Sequence, residues 1–193
     1  MKQYLCKVRS VGNGLLMHRY PELSIAGLVC PPKAAGRTKP KPEDEAEAGA
    51  YRTEDGALCL LADHFHGSMT QAAVNFQVEG RGKKTYKELI GKTAVVEPDI
   101  IPLTWDGKPL REYLIDARPA IVNRSRIVRC RPHVPRWEAE FTVTLQKDEL
   151  VSTEALRAIL AYAGDFCRVG DYRQRFGRFE VAELREVALA KAA

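Results

Sequence analysis

Trp137-Glu138-Ala139-Glu140-Phe141-Thr142-Val143-Thr144-Leu145 is the stretch on which the fold turns. Trp137, Ala139, Phe141, Val143 and Leu145 fall at every second position with polar side chains between them. A period of two belongs to a strand with one buried face. Downstream, Ser152 reads as a helix N-cap, and Leu156, Ile159, Leu160 and Ala163 recur at helical spacing as far as Gly164. Residues 177–184 return to alternation, with Phe179 and Val181 inward and Arg178 and Glu180 outward. This half of the chain therefore reads strand, helix, strand.

The upstream half echoes it. Tyr4, Cys6 and Val8 alternate with Lys7 and Arg9 in a first strand over 3–11, ended by Gly12-Asn13-Gly14. After a long connection, 56–61 reads as a short strand. Ser68 and Gln71 then form a capping box for a helix carrying Met69, Ala72, Ala73 and Phe76. Thr85 and Glu88 form another box for a brief helix, and 93–97 is a strand stopped by Pro98. Residues 98–117 read as loop, with a turn at Trp105-Asp106-Gly107. The order βαββαβ predicts an α+β, ferredoxin-like or RRM-like sheet, with an extra basic β-ribbon over about 118–131 between the halves. One domain over 1–193 is expected, with 12–66 as a partly mobile insertion after the first strand. Within it, 31–49 carries four prolines and a basic block next to an acidic one, the composition of a mobile loop.

The 193 residues are 45% hydrophobic and 28% charged, which suits a folded domain and excludes a wholly disordered chain. Apolar runs are too short to span a bilayer, and the N-terminus has no signal-peptide pattern. Five cysteines form no C-x-x-C pair, so free thiols in the cytoplasm are expected. His64-Phe65-His66 lacks the companion ligands of a metal site, so no metal is expected. The sequence has no G-x-G-x-x-G, Walker A, G-x-S-x-G or H-E-x-x-H motif, so no cofactor is expected either.

The net charge is +5, and its distribution matters more than its sum. No acidic residue occurs between Ala117 and Trp137, where Arg118, Arg124, Arg126, Arg129, Arg131 and Arg136 stand. Arginine's planar fork grips phosphate bidentately and stacks on bases. An edge strand kept from aggregating would also be charged, but that role requires neither arginine alone nor the exclusion of glutamate. Arg124 and Arg126 share one strand parity, and Arg129 and Arg131 the other. A bulge near Ile127-Val128 is needed to align all four.

A second basic stretch runs from Gly164 to Val181. Arg168, Arg173, Arg175 and Arg178 interleave with Phe166, Tyr172, Phe176 and Phe179, and Gly164, Gly170 and Gly177 punctuate them. Cations beside aromatic rings suit a single strand, with phosphates on the former and bases stacked on the latter. The glycines would let backbone approach a ligand. The competing reading makes Phe176 and Phe179 core residues and Gly164 a helix cap.

Placed after a helix and before a last strand, the run from Gly164 to Val181 resembles the glycine-rich loop of the RAMP superfamily. These are CRISPR-associated, ferredoxin-fold RNA-binding proteins that include Cascade-type backbone subunits and RNA-processing endoribonucleases. Gly14-Leu15-Leu16-Met17-His18-Arg19, Arg131-Pro132 before Trp137, and Val169-Gly170-Asp171-Tyr172-Arg173 before Phe176-Gly177-Arg178-Phe179 also resemble small phage proteins of similar type. The residues and the resemblance together lead to one expectation: binding of single-stranded nucleic acid, RNA rather than DNA, without base specificity. Arg124, Arg126, Arg129 and Arg131 would grip phosphates, Arg173 and Arg175 would extend the track, and Tyr172 would stack on a base. The resemblance further implies self-assembly or membership of a ribonucleoprotein. Two alternatives stand beside this. One is a metal-independent endoribonuclease with His18 as general acid or base, partnered by Tyr20 or an arginine. The other is a phage-borne interaction or inhibitor protein that presents its arginines to an acidic protein surface.

Overall fold

Tyr4, Cys6 and Val8 are buried along one face of β1 (Lys2–Ser10), as their alternation requires. The computed structural model describes residues 1–19, 25–29, 40–122, 124–147 and 150–188. β1 pairs antiparallel with β11 (Glu138–Leu145) on one side and β12 (Phe179–Val187) on the other. The far edge of β11 is shared by β6 (Ala94–Glu97) and β7 (Ile100–Trp105). β7 in turn carries β5 (Cys59–Leu61) and β8 (Lys108–Pro109). All these pairings are antiparallel, in the order β12-β1-β11-β7-β5. The chain is thus α+β, with a mostly antiparallel sheet and four α-helices among the described residues.

α2 (Ala62–Ala72) and α4 (Thr153–Tyr162) pack on the same side of this sheet, joined to it by one apolar cluster. Phe65 of α2 stands at its centre. Its ring centroid lies 4.4 Å from Phe141, 5.8 Å from Phe179 and 6.5 Å from Trp137. Truncating it to alanine would cost about 3–5 kcal/mol, the range for a buried aromatic. Ser152 caps α4 as expected, its Oγ accepting the Ala155 N–H at 3.1 Å. Among the described residues, no helix is long and apolar enough to cross a membrane. Cys6, Cys59, Cys130 and Cys167 are buried, and burial pushes the Cys6 and Cys59 thiols up to about 12. Cys30 lies outside the described residues.

Several expectations need correction. The acidic part of the supposed mobile loop is α1 (Pro42–Gly49), while 31–39 lie outside the described residues. Pro42 opens α1 with its φ already helical, and Glu43, Asp44 and Glu45 sit in the first turn, where the helix dipole favours negative charge. Ser68 is no N-cap: α2 starts at Ala62, and Ser68 is buried mid-helix, donating to the Ala163 carbonyl at 3.3 Å. His64 serves the helix start instead, its Nδ1 accepting the Leu61 N–H at 3.1 Å. The His64-Phe65-His66 run is therefore helical. Thr85 caps nothing, since α3 (Lys87–Thr93) begins after Tyr86. Residues 98–117 are not simply loop but contain β7, β8 and the start of β9 (Leu114–Val122). Gly164 does not end α4, which runs on into a π-helical turn over Ala163–Cys167.

A second, three-stranded sheet stands apart in hydrogen bonding from the first. It consists of β2 (Leu15–Leu16), β10 (Ser125–Val134) and β9. Leu28–Val29 and Arg52–Thr53 (β3 and β4) form a small antiparallel pair on either side of α1 in the chain.

Candidate nucleic-acid interface

The β9–β10 ribbon keeps an unbroken register, from Ser125 opposite Val122 to His133 opposite Leu114. No bulge interrupts Ile127-Val128. Strand alternation then sends Arg126 to one face, with Cys130 and Pro132, and sends Arg129, Arg131 and His133 to the other. Arg124 lies outside the strand, in the turn, with φ 66°. The four arginines therefore do not share a face, which corrects the alignment that a bulge would have produced.

Their electrostatic surroundings differ as much. Arg118 forms an ion pair with Asp116. Its guanidinium also lies 4.8 Å from the Phe176 ring centroid and 5.7 Å from that of Tyr172. The bond from Arg118, aided by the charges of His133 and Arg131, holds the Asp116 carboxyl below the usual range despite partial burial. Arg129 reaches Glu45 of α1 at 3.0 Å. Arg131 Nε lies 3.1 Å from Asp171 Oδ2, a charge contact without hydrogen-bond alignment. Arg124 and Arg126 are exposed and have no ion pair among the described residues. Arg126, Ile127 and Val128 are all exposed although they point alternately to opposite faces, so solvent reaches both sides of the ribbon here. Ile121, opposite Arg126, is 74% exposed, which makes the tip apolar as well as cationic. A groove of about 400 Å³ lies between the ribbon and the start of α1, lined by Pro40, Glu45, Arg126, Ile127, Val128 and Arg129.

The loop 170–178 packs against the base of this ribbon. Asp171 N–H donates to the Leu16 carbonyl at 2.8 Å, and Gly177 N–H to that of Gly14 at 2.7 Å. His133 Nε2 lies 2.8 Å from the Asn13 carbonyl, which only accepts, so Nε2 carries the hydrogen. Arg173 and Arg175 remain exposed. The Arg173 side chain bonds Gln71 at 3.5 Å, and neither Arg173 nor Arg175 has an ion pair among the described residues. Tyr172 is 41% exposed, but its ring is shared with Phe176 and Arg118.

The glycines do other work than ligand approach. A Cβ at Gly164 would sit 2.0 Å from the Phe179 carbonyl oxygen, and one at Gly177 1.7 Å from that of Val169. They let the protein's own backbone close on itself. Phe176 and Phe179 are buried, as the core reading had it. Arg178 pairs with Asp165 at 2.8 Å. Arg168 is a staple: its guanidinium donates to the carbonyls of Asp165, Arg173 and Gln174. It does so from φ 62°, ψ 177°, a conformation that costs a non-glycine residue about 1–3 kcal/mol.

His18 lies beside the same cluster. Partial desolvation lowers its imidazole pKa, Asp171 and Glu45 oppose this, and Arg131 and Arg129 reinforce it. Tyr20, its suggested partner, lies outside the described residues. Glu45 and Asp171, which neutralise the ribbon's base, were missed by sequence reasoning because neither lies near the arginines in the chain. Their only signal was their place in acidic or loop segments. No family model and no curated protein matches this chain.

Proposed function

We propose that this is a single-stranded nucleic-acid-binding protein of RAMP type, RNA rather than DNA, that holds the phosphate backbone without reading bases. The observation that carries this is the pair of guanidiniums, Arg124 and Arg126, that have no ion pair among the described residues and stand at a ribbon tip open to solvent on both faces. Arg173 and Arg175 add two further cations without carboxylate partners among the described residues. The ribbon's base, where Arg118, Arg129 and Arg131 are matched by Asp116, Glu45 and Asp171, contributes scaffold rather than charge. Strand order β12-β1-β11-β6 with helices α2 and α4 on one side supports a ferredoxin-like reading of the sheet. The buried free thiols of Cys6, Cys59 and Cys167 support a cytoplasmic setting. Membership of a CRISPR-like ribonucleoprotein and head-to-tail self-assembly belong to the same proposal, and size-exclusion with and without RNA tests them; a monomer in both conditions removes assembly.

The direct test is fluorescence anisotropy with labelled RNA and DNA oligomers of several sequences across a salt series. Expected is binding that varies little with sequence and falls steeply with salt. Failure to bind any oligomer at low salt overturns the reading.

One observation favours a second reading, a metal-independent endoribonuclease. His18 has a lowered pKa and sits among Arg129, Arg131 and Asp171, so a neutral imidazole near cations is available to take a proton at pH 7. Labelled RNA incubated in EDTA decides it: cleavage by wild type but not by His18→Ala supports the nuclease, and intact RNA with both removes it.

A further inference from the structure

Of the four aromatic rings in the run from Gly164 to Val181, Phe176 and Phe179 are core and Tyr172 is half occupied by Arg118. The fourth is different. Phe166 is 69% exposed, the second most exposed large hydrophobic side chain among the described residues after Ile121. It does not stand alone. Its ring centroid is 4.6 Å from that of Tyr162 at an interplanar angle of 40°, and Tyr162 meets Phe76 edge-on at 5.7 Å. The result is a short ladder of rings, anchored on α4 and on the turn after α2, that ends in an open aromatic face.

The backbone explains why the ladder ends in solvent. Phe166 follows Tyr162 by four residues, so on a continuing helix the two side chains lie one above the other. At Ala163–Cys167 the helix widens, and Arg168 N–H reaches the Ala163 carbonyl at 2.6 Å to close a π turn. The wider turn turns Cys167 inward and leaves Phe166 outside. Single π turns inside helices are frequently found at functional sites.

Charge decides what fits this face. The Arg168 staple fixes the segment carrying Arg173 and Arg175 beside the π turn. Arg173 lies close enough to influence the Cys167 thiol. Asp165, the acid next to Phe166 in the chain, is already bonded to Arg178. An aromatic face on the turn that Arg168 ties to the segment of Arg173 and Arg175, two cations with no ion pair among the described residues, matches a flat ring attached to a phosphate.

We infer that Phe166, backed by Tyr162 and Phe76, is a stacking platform for a base of single-stranded nucleic acid whose phosphates are held by Arg173 and Arg175. This rests on the nucleic-acid-binding reading above and shifts the stacking role from Tyr172 to Phe166. Stacking needs a π face, which every base has, so the platform adds affinity without sequence preference.

Anisotropy with a labelled 12-nucleotide uridine oligomer, and with an abasic sugar–phosphate oligomer of equal length, tests it on wild type, Phe166→Ala, Phe166→Leu and Phe166→Trp. Phe166 is exposed, so the variants should fold, and thermal melts confirm it. Expected is a loss of about tenfold for Ala and Leu on the uridine oligomer, the low-to-middle range for removing one stacked base. Trp should retain wild-type affinity, and no variant should change binding of the abasic oligomer. Wild-type affinity in Phe166→Ala, Leu performing as well as Trp, or an equal loss on the abasic oligomer each overturns the platform while leaving nucleic-acid binding intact. Wild type binding neither oligomer overturns the underlying reading and this inference together.

Discussion

On the outer face of the central sheet, Lys7 lies 3.0 Å from Glu140 and 3.6 Å from Glu183, and Arg9 lies 2.7 Å from Glu138. At the ribbon tip, Arg124 and Arg126 have no carboxylate at ion-pair distance among the described residues. Both regions carry exposed cations. In the first, each cation already has a neighbour of opposite sign, so an approaching phosphate meets glutamates too and the local field is near zero. In the second no carboxylate among the described residues cancels the field, which falls off over a Debye length, about 8 Å at physiological salt. Counting cations does not locate a polyanion site; counting those left over does. The ribbon itself repeats the lesson, since its base is neutralised and its tip is not.

The strongest way to break this contrast is charge reversal. Arg124→Glu with Arg126→Glu should weaken oligonucleotide binding about a hundredfold at low salt, equally for all sequences. The log–log salt slope should shrink by about 1.4 for two lost contacts to a single strand. Lys7→Glu with Arg9→Glu should leave affinity within about twofold of wild type. Equal losses from the two double variants would mean that the sheet face takes part.

A sharper version unmasks a matched cation. Glu45→Gln frees Arg129 and should raise affinity by about threefold, with α1 weakened by about 0.5 kcal/mol through loss of a first-turn charge. Unchanged affinity would show that Arg129 faces away from the bound strand.

The next effect is on stability and depends on pH. Asp116 has its pKa depressed in the folded state by the bond from Arg118. Its contribution is therefore present above the ordinary carboxylate pKa and lost as pH falls through the folded value. Denaturant titration of Asp116→Asn should show a loss of about 1 kcal/mol at pH 7 that disappears in acid. A loss that persists at pH 2 would mean packing, not charge, is what the aspartate supplies.

The smallest effect lies beneath both regions. Burial lowers the His64 pKa, so the unfolded chain takes up its proton first and stability declines as pH drops below about 6.5. Glutamine at this third helical position can still reach back to the Leu61 N–H. His64→Gln should therefore flatten that decline by a fraction of a kcal/mol, read from melts at pH 7 and 5.

Much of the scaffold was legible because its side chains answer to one period. Tyr4, Cys6 and Val8, the odd-numbered run from Trp137 to Leu145, and the Ser152 cap each needed only neighbours in sequence. β7 was illegible because Pro98, Pro102 and Asp106-Gly107 punctuate it like a loop, although Pro102 sits in register with Cys59. The start of α2 was hidden because a histidine at its third position, not a polar residue before it, meets the free N–H. At the interface, the cations could be read but their partners could not. Whether Arg129 is matched depends on α1 folding against β10, and whether Arg131 is matched depends on where the 170–178 loop lands. Parity was readable; the absence of a bulge was not.

The straight register of β9 and β10 has a kinetic consequence. From Arg131 at the anchored end to Arg126 near the tip is about 17 Å of extended chain. Under the proposed function, guanidiniums at the ribbon tip would act chiefly on how often collisions with a polyanion become productive, while the lifetime of the captured complex would be set closer in.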